Sequence, residues 1–291
     1  MIVNFIRGLF MALADSVPGV SGGTVAFIMG FYDKFINSLD LLIYGNKEEK
    51  KESLKFLIKL GIGWAFGMVL AALVLANLFE KHIYIISSLF LGFVIFAIPL
   101  IIKEEKNNLK GKYYNIIFTI VGIALVVLIT ILNPVSSSSG VDIAKLNIGL
   151  IIYIMLAGIV AISAMVLPGI SGSTLLLIFG LYVSIMTAIK EVLHFNFKYL
   201  PALIFFAIGV IIGILSIIKI LKIALKKYRS AMIYFIIGLM IGSIYAIIMG
   251  PTTIKVAHDA MSLKTFNILF FVIGGVVILG LEKIKGILNN K

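Results

Sequence analysis

The sequence predicts an all-α, polytopic membrane protein built as two inverted repeats, each a broken, re-entrant helical hairpin followed by three transmembrane helices. Three observations lead there. Of the 291 residues, 61% are hydrophobic and only 13% charged, where a soluble domain carries about a quarter charged residues; the mean hydropathy is +1.16. Uncharged runs repeatedly reach the roughly 20 residues that cross a hydrocarbon core, and none alternates as the strands of a membrane barrel would. Finally, one polar motif occurs twice. Pro18, Gly19, Ser21, Gly22, Thr24, Ile28, Gly30 and Tyr32 recur as Pro168, Gly169, Ser171, Gly172, Thr174, Ile178, Gly180 and Tyr182, eight identities in fifteen ungapped positions. Chance matching of apolar residues does not put Pro-Gly-x-Ser-Gly-x-Thr in register, so the chain is internally duplicated.

The first repeat covers residues 1–132 and opens with a hairpin, 2–43, interrupted by the motif. Proline removes a backbone donor and pushes the residue before it out of the helical region, so the first arm is expected to stop near Val17, and its counterpart near Leu167. Gly19 and Gly169 can take backbone angles that other residues avoid. Ser21 and Ser171 suit an N-cap, with a second helix starting within 22–25 and 172–175. The start of the chain faintly resembles a signal peptide ending in Ala12-Leu13-Ala14. However, Arg7 lies inside the apolar run, and the matching segment of the second copy is internal, so the segment is read as part of the fold. A charged loop, 44–55, leads to the span 56–79, in which Gly63 and Gly67 permit close helix packing. Spans 83–102 and 113–132 follow, separated by a charged loop at 103–112.

A Ser-rich stretch, 133–146, reads as an external linker. The second repeat, 147–291, has its hairpin at 147–189 and spans at 200–221, 231–249 and 266–281, with Gly209 and Gly213 repeating the four-residue interval. Tyr234, Leu239 and Gly242 match Tyr84, Leu89 and Gly92 at the same offset of 150, so the repeat extends beyond the motif.

Lysine and arginine set the orientation. If each hairpin enters and leaves on one side, 19 of the 25 basic residues fall on one face, which the positive-inside rule makes cytoplasmic, together with both termini. If each hairpin crossed once, loops 44–55 and 103–112 would carry eight lysines to the outside. An odd number of spans between the copies makes the repeats inverted, so their Ser-Gly breaks approach from opposite leaflets. Residues 147–167 are themselves long enough to cross, at about 31 Å of helix, and the parity is unchanged if they do. The formal charge of +12 is thereby assigned to orientation and to contact with anionic lipid headgroups rather than to nucleic acid.

Two helix breaks that present unpaired N–H groups, with hydroxyls nearby, suit an oxyanion at membrane depth. The candidate binding residues are Pro18, Gly19, Ser21, Gly22, Gly23, Thr24, Pro168, Gly169, Ser171, Gly172, Ser173 and Thr174, with Arg7 as a charged partner. A single such loop is as well explained as a tight surface turn; its duplication in matched positions is what points to a transporter site. Asp15 is unduplicated, since its counterpart is Met165. It is a candidate carrier of a coupling proton or cation, set against the plainer reading of an aspartate reaching water at the cytoplasmic mouth. Arg7, two helical turns earlier, is expected on the same side. Tyr32 and Tyr182 read as interfacial anchors ahead of substrate ligands.

Enzyme readings find little footing. Zero cysteines exclude thiolate catalysis and zinc–sulfur sites. His82, His194 and His258 lack metal-ligand spacing, and no cofactor or metal is expected. Ser21 is not in a nucleophile elbow, and the glycine-rich loops are not P-loops. Arg7 and Arg229 are the only arginines, too few for an intramembrane phosphatase.

The run Asp15 to Thr24 followed by Gly30-Phe31-Tyr32, together with the second copy from Pro168 to Thr174, resembles the signature of the polyprenyl-phosphate transporter family (PopT type), formerly a bacterial and archaeal domain of unknown function. The similarity runs over essentially the entire chain. It implies a plasma-membrane translocase that returns undecaprenyl phosphate from the outer to the inner leaflet for cell-envelope synthesis, with that lipid as its partner. Met165, at the acidic position, is the main departure. The rival readings are an ion-coupled carrier of a small soluble anion on the same scaffold and a non-transporting membrane scaffold. Nothing in the sequence sets the oligomeric state.

Overall fold

The computed structural model describes residues 2–15, 21–70, 76–132, 141–253 and 258–289, and within them the regular structure is entirely helical. The first half holds α1 (Ile2–Asp15), α2 (Gly22–Ile28), α3 (Tyr32–Tyr44), α4 (Lys47–Leu70), α5 (Ala76–Glu104), the short α6 (Lys106–Leu109) and α7 (Ile116–Ile131). The second holds α8 (Ile148–Val166), α9 (Gly172–Ile178), α10 (Tyr182–Leu193), α11 (Leu200–Lys227), α12 (Arg229–Met249) and α13 (Ile268–Asn289).

Six helical segments are long and apolar enough to cross a membrane: Lys47–Leu70, His82–Glu104, Tyr113–Ile131, Ile148–Val166, Phe197–Lys227 and Arg229–Thr252. The arm 148–166 is one of the six, with the crossing length that its sequence allows, and α13, expected as the span 266–281, runs from Ile268 to Asn289. The charged segment 44–55, expected as a solvated loop, is helical from Lys47. There Asn46 and Glu49 cap reciprocally, Glu49 N donating to Asn46 Oδ1 at 2.9 Å and Asn46 N donating to Glu49 Oε2 at 2.8 Å. This capping box, with Glu48 and Glu49 in the first turn, offsets the exposed donors of the new helix. In the same way α11 carries the basic segment through Lys227, where Lys226 and Lys227 face the helix's negative end. The turn expected near residue 82 is a kink inside α5, at His82 with φ −136° and ψ 35°.

Glycines fix how the helices pair. A Cβ on Gly67 would sit 2.7 Å from Leu9 O, and Gly63 abuts the Phe5 backbone, so α4 lies directly on α1. In the second half, Gly209 abuts Met155 and a Cβ on Gly213 would sit 2.8 Å from Ile159 O, so α11 lies on α8. The order of contacts, 5 with 63 and 9 with 67, makes α1 and α4 parallel; 155 with 209 and 159 with 213 do the same for α8 and α11. The chain between each pair therefore returns to the end it started from, through α3 and α10. Two further parallel pairs cross between the halves. Gly92 of α5 meets Phe271 of α13, and Gly242 of α12 meets Ile123 of α7. Small residues serve here because apolar side chains gain little by leaving lipid for protein, so close backbone approach supplies the attraction. The innermost helices are α5 and α12, with Val94, Ile233, Ile236 and Met240 fully buried.

Ion pairs tie the halves together at one end. Lys222 of α11 bonds Asp40 of α3, while Arg229, at the start of α12, bonds Glu105 and, at 2.7 Å, Asp33 of α3.

Candidate functional site

The two breaks are built alike. Ser21, with extended backbone (φ −131°, ψ 152°), caps α2 by accepting from Thr24 N at 3.3 Å. Ser171 holds the same extended position ahead of α9 (φ −95°, ψ 127°), where its side chain makes no cap bond. Both short helices then end at a glycine with positive φ, Gly30 at 65° and Gly180 at 63°. The next residue donates five positions back in each case, Phe31 N to Ala26 O at 3.0 Å and Leu181 N to Leu176 O at 2.9 Å. Only glycine takes that left-handed turn cheaply, which accounts for the Gly30/Gly180 identity. Helix starts at Gly22 and Gly172, and the stop at Val166, fall where the motif placed them. Pro18 and Gly19 lie outside the described residues.

The two motifs touch. Thr24 Oγ1 accepts from Gly169 N at 2.7 Å, and Ser21 Oγ receives the same N–H at 3.2 Å. Ser21 Oγ also donates to Leu167 O at 3.1 Å and lies 3.1 Å from Thr24 Oγ1. Tyr32 OH donates to Val166 O at 3.2 Å. Ser21, Thr24 and Tyr32 are buried, so Tyr32 is an internal tie and not the interfacial anchor expected of it. The hydroxyls of the first copy thus hold the backbone around buried Pro168. Gly169, at φ 86°, lies flat on Leu239 of α12, where a Cβ would come within 2.7 Å of the carbonyl oxygen. Gly23 packs equally closely on the Val166 carbonyl, at 2.7 Å for a Cβ. Gly172 is buried and Thr174 half-buried; nothing is described of the Ser173 side chain.

Asp15 faces this junction. Its Oδ1 accepts from Gly22 N at 2.6 Å and its Oδ2 from Trp64 Nε1 at 2.9 Å. The carboxylate thus sits at the start of α2, on the exposed donors that the sequence assigns to a bound anion, and both of its partners are neutral. In the second copy the methylene of Met165 takes the corresponding place beside Gly172. Arg7 does not join Asp15, because eight residues turn a helix about 80° off register. Its guanidinium lies 4.8 Å from the Phe31 ring centroid and donates to Asn4 Oδ1 at 3.2 Å. It forms no ion pair with another described residue.

Two cavities flank α2. One, of about 220 Å³, is lined by Asp15, Gly22, Gly23, Trp64, Met165 and Val166 among others, so it lies between the start of α2 and the end of α8. The other, of about 320 Å³, has Thr24 in an otherwise apolar wall. No cluster of metal-ligating side chains occurs among the described residues.

Trp64 is the residue that sequence reasoning passed over. It is the chain's single tryptophan, placed among the small residues of an otherwise apolar span. An indole N–H in an apolar setting needs an acceptor, and Asp15, the acid at the first break, was the one to pair it with.

A family model described as undecaprenyl phosphate translocase-like matches residues 11–265. A polyprenyl-phosphate transporter of Staphylococcus aureus is 36% identical over 213 residues, covering 71% of this chain and 72% of that protein. A polyprenyl-phosphate transporter of Vibrio cholerae serotype O1 is 32% identical over 201 residues, 64% of this chain and 60% of its own length. No solved structure matches the chain.

Proposed function

The chain belongs to the undecaprenyl phosphate translocase-like family, and from that premise we propose that it carries a polyprenyl phosphate, undecaprenyl phosphate in particular, from the outer to the inner leaflet of the plasma membrane. It is a transporter and not an enzyme, as its relatives are. In this reading the headgroup is held where the two breaks meet, on residues 18–24 and 168–174. The observation that carries it is the direct bonding of Thr24 and Ser21 to Gly169 and Leu167, beside a cavity lined by Gly22 and Gly23 of the first segment and by Met165 and Val166 just ahead of the second. Arg7, half-buried and with no acid bonded to it among the described residues, supplies positive charge as the headgroup enters.

The proposed mechanism is alternating access by two inverted repeats, 1–132 and 147–291, joined by an external linker at 133–146. Supporting it, the parallel pairs α1–α4 and α8–α11 are counterparts 150 residues apart in α1 and α8, and α5–α13 is matched by α12–α7. Opposite membrane orientation of the halves satisfies all four pairings at once. Tyr84 OH bonds Asp259 O and Tyr234 OH bonds Leu109 O, each reaching into the other half. Lysine-rich segments then face the cytoplasm with both termini and contact anionic lipids.

Asp15 gives the coupling. A carboxylate and a phosphate in one apolar cavity repel unless the acid is neutral or paired with a cation. Asp15 therefore takes up a proton or cation when the headgroup arrives and releases it on the other side. A small soluble anion is the weaker reading, because the walls around the breaks are mainly apolar.

The test is leaflet-resolved labelling of undecaprenyl phosphate in cells that lack other carriers of this lipid. Depletion of the protein should leave the lipid at the outer surface, and re-expression should restore it. An unchanged leaflet distribution refutes the proposal; transport of inorganic phosphate in proteoliposomes, with no lipid movement, would favour the soluble-anion carrier.

A further inference from the structure

We propose that the apolar cavity between α1, α2, α5 and α13 holds the isoprene units nearest the phosphate, so that the protein recognises the lipid's chain as well as its headgroup. The inference rests on the proposed function and adds to it a second subsite. At about 320 Å³ the space is larger than the cavity beside Asp15, and it falls at the lower end of the roughly 300–1,000 Å³ usual for ligand sites. Close-packed interiors hold few spaces of this size, and one walled by apolar side chains gives water no partners. Thr24 brings the only hydroxyl to its lining, and that hydroxyl is already bonded to Gly169. Nothing in the wall can hold a charged or hydrated solute.

Position selects the occupant. Successive faces of the seven-residue α2 line the two cavities, Gly22 and Gly23 the one beside Asp15, Thr24, Val25 and Ile28 the other. A phosphate at the junction of the breaks therefore has its first carbons next to Thr24, at the mouth of the apolar space. At the far wall Ile273 of α13 is 39% exposed on the outside of the bundle, so a long chain leaves there into the bilayer. Phe90 and Phe93, in edge contact at 5.0 Å between ring centroids, form the α5 wall. Rigid aromatic faces suit a stiff, methyl-branched polyene better than a freely rotating acyl chain, which loses more rotamer freedom on ordering.

The experiment uses the full-length protein in proteoliposomes and a polyprenyl phosphate carrying a diazirine on its second isoprene unit. After photolysis, labelled residues are mapped by mass spectrometry, and lipid transport is measured on the same vesicles. Label is expected on the α5 and α13 wall, with unlabelled polyprenyl phosphate competing and phosphatidylglycerol not. Ile28→Trp, which fills the cavity away from the junction, should weaken labelling at least about tenfold, and Ile28→Leu should keep it. Transport with label elsewhere, on the outer faces of α4 or α11 for example, overturns the chain subsite while leaving the transport function standing. Label in the cavity that phosphatidylglycerol removes equally well also overturns it, showing a general lipid pocket. Absence of both transport and competed label overturns the proposed function, and this inference with it.

Discussion

Replacing Thr24 by valine tests whether the two breaks are held together as described. The side chains are nearly isosteric, so the change removes one hydroxyl and little volume. That hydroxyl accepts from Gly169 N at 2.7 Å, and both partners are buried. A buried donor left without a partner costs about 1–3 kcal/mol. Ser21 Oγ stands 3.2 Å from the same N–H and takes over part of the bond, which places Thr24→Val near the lower end, about 1–1.5 kcal/mol. Ser21→Ala alone leaves Thr24 in place and should cost a similar amount, since Leu167 O and the α2 cap each lose a partner. The double variant has no side-chain acceptor for Gly169 N and should cost more than the two singles together, by at least about 0.5 kcal/mol. Denaturant or thermal unfolding of the purified protein in one detergent reads these differences, with Thr24→Ser as the control that keeps the hydroxyl. A Thr24→Val protein as stable as the parent, or a double variant that is merely additive, would sink the claim that these hydroxyls join the halves.

Asp15→Asn leaves one acceptor oxygen for two N–H donors, Gly22 N and Trp64 Nε1, so it should destabilise the protein by about 1–3 kcal/mol. It should also flatten the pH dependence of lipid transport, and retained pH dependence would remove the coupling role. Trp64→Phe keeps an aromatic ring, though a smaller one, and drops the N–H; transport should fall while protein at the membrane stays near normal, because one of Asp15's two anchors is gone. Gly67→Ala and Gly213→Ala should each cost about 1–3 kcal/mol by overpacking, since a Cβ meets a carbonyl oxygen at 2.7 or 2.8 Å. Gly280→Ala, with nothing within 4 Å, should instead gain up to about 1 kcal/mol in helix propensity. Lys222→Ala strands Asp40, whose side chain is 9% exposed; because Lys222 is itself partly exposed, a loss of about 1–3 kcal/mol is expected, below that for a fully buried pair. Asp40→Asn in the same protein should recover part of it, as unfolding midpoints would show.

Much of this organisation was legible because glycine, proline and serine carry local physics that survives in any solvent. Pro168 placed the stop at Val166, Ser21 and Ser171 placed the next starts, and the Gly30/Gly180 identity reports a left-handed turn in both copies. The extension of α4 to Lys47 was equally readable, since Asn46-x-x-Glu49 is a start signal; charge density drew the boundary to the wrong place.

Partners across the bundle were not legible, and the reason lies in the bilayer. In water a helix marks its buried side by apolar contrast, but in lipid the outer face is as apolar as the inner, so periodicity loses its meaning. Only small residues still mark a contact, and they say that a backbone comes close without saying whose. Gly63 and Gly67 announced a neighbour; that it is α1, running parallel, needed three dimensions. Parallel packing is also what makes the polar junction costly to lose. With α1 fixed against α4 and α8 against α11, the backbone of 168–170 is buried, and a buried polar group that loses its partner is costly. The hydroxyls of Ser21, Thr24 and Tyr32 then satisfy groups around Pro168 that the break in the helix exposes. Removing the motif from one copy should therefore damage the other, so Pro168→Ala, which restores an N–H and lets α8 continue, should abolish the Thr24–Gly169 contact. In that background Thr24→Val should no longer destabilise the protein in denaturant unfolding; a full parental loss would mean that the Thr24–Gly169 contact survives and the two breaks stand independently.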